Sequence, residues 1–153
     1  MKINVYISQR KKQKILFEIM QTENKIPAQK IYDEATRLMN NAHKELQLAK
    51  KNGKFFHDIK HLQVACGTAY LATLKALNGI FLLRNIPKPK RHASIEYYQQ
   101  GLTNLDRKIL DSLNVAYRIL HIDGYYEGFN HAQTILSGFE EAQYIINKLK
   151  QAI

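Results

Sequence analysis

The chain of 153 residues has one cysteine, no tryptophan, three prolines and seven glycines. A single cysteine, Cys66, excludes an internal disulfide framework and fits a reducing compartment. Glycine and proline are too sparse to punctuate a turn-rich all-β fold. No uncharged apolar run reaches membrane-spanning length, because Lys60 and Lys75 interrupt the most apolar segment. The start alternates Ile3, Val5 and Ile7 with polar residues and then turns basic at Arg10, Lys11 and Lys12, so the apolar core of a secretory leader is missing. These absences predict a cytoplasmic protein with no membrane partner. Nucleophile triads, glycine-rich phosphate loops and paired catalytic carboxylates are also unrecognisable, so no residue is assigned a catalytic role and no cofactor is expected.

What the sequence does contain is helical periodicity and positive charge. At this length one domain is expected, and it is long enough for its own core. Residues 1–8 read as a short strand or a loose arm, and residues 9–21 as a short basic helix carrying Ile15, Leu16, Ile19 and Met20. Residues 21–25 are polar and read as a connector, after which Pro27 suits the first turn of a new helix. This divides the chain into a basic N-terminal appendage, residues 1–26, and a bundle domain, residues 27–153.

The first long helix is predicted over residues 28–51, with Ile31, Ala35, Leu38, Met39, Ala42, Leu46 and Ala49 as its core stripe and a stop at Asn52-Gly53. The second covers residues 55–83 and is the most apolar. Its small residues Ala65, Cys66, Gly67, Thr68 and Ala69 let a neighbour approach closely. Pro87 and Pro89 make an extended basic loop. Ser94 caps a short helix that ends at Gly101. Thr103 with Asp106 resembles a capping box for the next helix, which Gly124 stops. The last helix spans residues 130–152. The expected fold is all-α: an antiparallel four-helix bundle with a short extra helix and the basic appendage.

A net charge of +10 makes RNA or another polyanion an expected partner, although many basic proteins use such charge for solubility. Lys88, Lys90 and Arg91, followed by His92, Tyr97 and Tyr98, interleave cations with aromatics, a mixture suited to a nucleic-acid backbone and its bases. A second candidate site gathers Tyr117, Arg118, His121, Tyr126 and Glu127 near a glycine-bracketed turn, where a pocket could hold a small ligand or serve acid–base work. The plainer reading makes Tyr117 core and His121 a helix-end histidine. His57 and His61 stand one turn apart, a metal-binding spacing, but no third ligand is identifiable and no metal is expected. Arg37 and His43 do not share a helical face. Cys66 lacks an activating neighbour and reads as a small buried hydrophobe.

Three stretches together carry a family resemblance: residues 66–70 (CGTAY), residues 94–98 (SIEYY) followed by Leu105, Asp106, Arg107 and Lys108, and residues 116–121 (AYRILH) leading to Tyr126, Glu127 and Gly128. Over residues 28–150 the chain resembles a bacterial family of small helical proteins catalogued as domain of unknown function 5618, which brings no established activity. More remotely the bundle is similar to the HEPN superfamily, whose members include RNA-cleaving toxins and nucleotide-linked partners. Active members pair Arg and His at a wider spacing near the last long helices. Here Arg118 and His121 stand closer together, and Arg37 and His43 lie in another helix. The departure argues against ribonuclease activity and leaves a non-catalytic relative.

The leading expectation is therefore a non-enzymatic helical module binding RNA or another anionic partner. The alternative is a homo-oligomeric structural or protein-interaction subunit, motivated by apolar surplus such as Phe55-Phe56 and Tyr125-Tyr126. The third is an enzyme built on Tyr117, His121 and Glu127.

Overall fold

Helix α1 runs unbroken from Lys2 to Leu48 and passes through Pro27. At 1.5 Å per residue its 47 residues extend about 70 Å, nearly twice the length of any other helix here. The computed structural model describes residues 2–153, with side chains from Ser8 onward. The strand or loose arm, the polar connector and the helix start at Pro27 expected from the sequence are all replaced by this one helix. The reason lies in residues 21–25. Gln, Glu and Lys are polar but are strong helix formers, so polarity there marks an exposed helix and not a break. Proline removes one backbone donor, a local cost that the helix bridges. Asn24 helps, because its Nδ2 donates to the Leu82 carbonyl and to Asn85 Oδ1, both at 3.2 Å, and so ties α1 to the end of the next helix.

After α1, Lys50 and Gly53 adopt left-handed backbone conformations (φ 52° and 60°). They turn the chain into a two-residue antiparallel ladder, β1 (Lys51–Asn52) with β2 (Phe55–Phe56), in which Lys51 pairs with Phe56. The second long helix therefore starts later than the sequence predicts, as α2 (Ile59–Leu83), with the Asp58 side chain accepting from the His61 amide at 3.1 Å as its N-cap. Helix α3 (Ile95–Thr103) has the expected Ser94 cap, but it continues through Gly101, where a side chain would meet the Phe81 ring. Thr103 ends α3, and Asp106 alone caps α4 (Arg107–Ala116) by accepting from the Ile109 amide at 3.0 Å. The predicted Thr103–Asp106 capping box is thus a single Asp cap. Helix α5 (Ala132–Ala152) closes the fold.

Gly124 does not stop α4. The chain passes directly from α4 into ten residues of wide π winding, Tyr117–Tyr126, with Gly124 buried inside. A methyl group on Gly124 would lie 2.5 Å from Cys66 Sγ, and one on Gly67 would lie 2.9 Å from the Tyr125 ring. The small residues of α2 thus allow the close approach expected of them, and the π segment is the element that approaches.

Helix α2 sits centrally, packed against α1, the π segment and α5. Leu62, Leu77, Leu113, Leu120, Ile135, Ile145, Ile146 and Leu149 form the fully buried centre. The structure is an all-α bundle of four long helical segments (α1, α2, α4 with its π extension, and α5), with α3 as the short extra helix. By length and composition α2 could cross a membrane, but most of it lies inside this packing, as a core helix must.

Candidate functional site

The loop between α2 and α3 is basic and extended, yet its first residues are held in place. Asn85 turns it with a left-handed backbone (φ 56°) and accepts from Asn24. Tyr97 on α3 donates its hydroxyl to the Pro87 carbonyl at 2.9 Å. Between loop, α1 and α2 lies a cleft of about 560 Å³. Its cationic and titratable walls are Lys75, Lys88, Arg91 and His92, and its aromatic wall is Tyr97 with Tyr98. Pro27 and Ile31 of α1 form the apolar side. Tyr98 is buried and donates to Asn78 Oδ1 at 2.8 Å. Burial raises the pKa of both tyrosine hydroxyls, so they remain protonated donors at neutral pH. Lys75 Nζ is 3.3 Å from Glu34 Oε1, which offsets part of its charge, whereas Lys88 and Arg91 face solvent. Of the three cations singled out from the sequence, Lys88 and Arg91 line this cleft. Lys90 is exposed on the same loop and is not among the lining residues. Sequence reading missed Lys75, Asn78 and the α1 wall, because the residues that build the cleft come from three helices and the loop.

The second candidate site lies on the π segment. Bonds from each amide to the carbonyl five residues back place residues four and five apart on one face. Tyr117, His121, Tyr125 and Tyr126 consequently stand in one ladder. The His121 ring stacks on Tyr70 of α2 (4.6 Å between centroids, 30°) and lies 5.4 Å from Tyr117, 6.1 Å from Tyr125 and 5.0 Å from Tyr126. Desolvation lowers the His121 pKa, so its neutral form is favoured. Burial first, with the neighbouring ionisable groups of Tyr117, Tyr98 and Glu96 adding to it, raises that of Tyr70. Gln63 donates to the Tyr125 carbonyl at 3.0 Å and braces the ladder from α2.

The structure brings Tyr117, His121 and Tyr126 together. Arg118 turns aside to Asp123, with Nε 3.2 Å from Oδ1, and Glu127 is exposed at the end of the segment. Tyr70 and Tyr125 join the cluster without having been singled out. A four-residue aromatic spacing was visible in Tyr117, His121 and Tyr125, but Tyr70 comes from α2 and carried no local signal. His61 binds Glu45 of α1 (Nδ1 to Oε2, 2.7 Å), which makes it part of the α1–α2 packing. Among the described residues no three His, Cys, Asp or Glu side chains gather as metal ligands. Cys66 is buried, and desolvation pushes its thiol up to about 12, so the nucleophilic thiolate is not formed near neutral pH. Phe56 is buried, while Phe55, Tyr125 and Tyr126 remain exposed.

A family model described as Domain of unknown function (DUF5618) matches residues 30–151. A solved structure of a protein of unknown function from Dyadobacter fermentans is 31% identical, covers 82% of this chain and 98% of its own, and superposes with a TM-score of 0.75. No curated protein matches. These likenesses concern the family and its bundle, and none of them bears on the HEPN similarity. Residues ahead of the matched span, including all of α1 before residue 30, lie outside the family model.

Proposed function

The chain belongs to the DUF5618 family, and we propose that it acts as a non-enzymatic helical module that binds an anionic partner, single-stranded RNA in particular, through the cleft between the α2–α3 loop, α1 and α2. The observation that carries this reading is the meeting of Lys75, Lys88 and Arg91 with the tyrosine wall of Tyr97 and Tyr98 in one cleft. Cations in such a groove attract backbone phosphates, and the half-buried Tyr97 ring, backed by the buried Tyr98, offers a base a face without regard to its identity. The net charge of +10 supplies long-range attraction, and the pinned loop reduces the ordering cost of binding.

The test is titration of labelled single-stranded RNA at low and moderate salt. Binding is expected to weaken as salt rises, since each phosphate contact releases a counterion. In the double variant Lys88→Glu/Arg91→Glu the salt slope should fall by about 1.4, from ~0.7 per single-strand contact. Affinity that does not change with salt, or that ignores the double variant, would sink the proposal.

A further inference from the structure

Along the N-terminal half of α1, Phe17 faces the end of α2 and α3, whereas Ile15, Ile19 and Ile26 point away from the bundle. The face toward the bundle continues outward from Ala28 through Asn24 and Gln21 to Phe17. Opposite that face stand Ile15, Ile19 and Ile26, which are 53%, 49% and 69% exposed, with Leu16 beside them. A monomer gains nothing from presenting three isoleucines to water on the far side of a charged helix.

Their spacing defines a seam. Ile15, Ile19, Thr22 and Ile26 alternate at four, three and four residues, the repeat by which two helices pack side by side. Position by position, Ile19 and Ile26 take one core position of the heptad and Ile15 and Thr22 the other. Glu18 and Lys25 then flank the seam on one side, and Leu16, Glu23 and Lys30 flank it on the other.

We propose that this face pairs with the same face of a second copy, antiparallel and centred between Met20 and Gln21. Flanking charge selects this arrangement. A parallel pair would set Glu18 against Glu23 and Lys25 against Lys30 of the second copy, both like-charged. An antiparallel pair shifted one heptad toward the N-terminus would oppose Glu18 to itself and Lys11 to Lys25. Shifted two heptads, it would place Lys12 against Ile15 in the seam. In the proposed register Ile15 meets Ile26 of the second copy, Ile19 meets Thr22, and Glu18 meets Lys25, each twice by symmetry. In the same register Lys12 falls opposite Gln29 of the second copy, one turn from its Asp33. Each bundle sits on the outer side of its own α1, so the two bundles stay clear of each other. About 15 residues a side would be covered, short of the ~20–30 of a standard stable interface, so the dimer forms in a concentration-dependent way.

The experiment is analytical ultracentrifugation of the full chain across the micromolar range, with circular dichroism on every variant to check that the helices are retained. The wild type should pass from monomer to dimer. Glu18→Lys and Lys25→Glu should each weaken the dimer roughly tenfold, and the double swap should restore it, because opposite charges then face each other again. Ile19→Asp should leave a folded monomer at every concentration. A wild type that is monomeric throughout overturns the proposal. So does a double swap no better than the single changes, or an arm that adsorbs to anionic lipid vesicles while the protein remains monomeric. The outcome is independent of RNA binding, because none of these positions lines the cleft.

Discussion

His121 is stacked on Tyr70 and hemmed by three further tyrosines, and its pKa is lowered by loss of water. In the unfolded chain the imidazole titrates near its ordinary value of about 6.5. Its folded pKa lies below that, so between the two values the unfolded state binds more protons. Stability from this group is therefore complete above pH ~6.5 and is lost as pH falls through the folded value. Chemical denaturation of the wild type should show falling stability on acidification through this window, and His121→Phe, which keeps an aromatic ring in the stack, should flatten that part of the profile. An unchanged pH profile in the variant would show that the ring stays as well hydrated in the fold as in the unfolded chain.

Elements were legible wherever a stripe of apolar residues faced one neighbour, and less so where the cause lay elsewhere. The core stripe from Ile31 to Ala49, the Ser94 cap and the proline-bearing loop all read directly from the sequence. The continuity of α1 through Pro27 did not, because exposed Gln, Glu and Lys look alike in a helix and in a connector, and the decisive clamp is Asn24 reaching the end of α2. The π winding was hidden for a similar reason. It depends on Gly67 and Gly124 letting α2 and this segment approach, a pairing between elements. The sequence raised His57 and His61 as a metal question, yet it is Asp58 between them that has a structural role, its carboxylate capping α2. Asp58→Ala should therefore cost about 1 kcal/mol in urea unfolding, with helix content otherwise retained, whereas Asp58→Ser should cost little. For the candidate sites, the residues on one loop or one turn were legible. Lys75, Asn78 and Tyr70 were not, because each reaches its cluster only through packing of α2.

At the scale of the whole molecule the surplus of 23 basic over 13 acidic side chains is the dominant field. The ion pairs found among the described residues are few and largely exposed, for example Arg107 with Asp111 and Arg118 with Asp123, so they offset little of it. Self-repulsion should therefore outweigh local attraction. The melting temperature is expected to rise when salt increases from a few millimolar to about 0.15 M, where the screening length shrinks to ~8 Å. A fall over the same range would mean that the ion pairs outweigh the repulsion.

Helix α1 carries the isoleucine seam and, directly after it, the Pro27 and Ile31 wall of the cleft. Because the helix is continuous, it works as a ruler. In a pair joined at Met20–Gln21, each Ile31 stands roughly 16 Å along the axis from the twofold, which offsets the two clefts by about 32 Å along that axis. A strand long enough to reach from one cleft to the other would be gripped at two fixed points, and its avidity would be governed by that spacing.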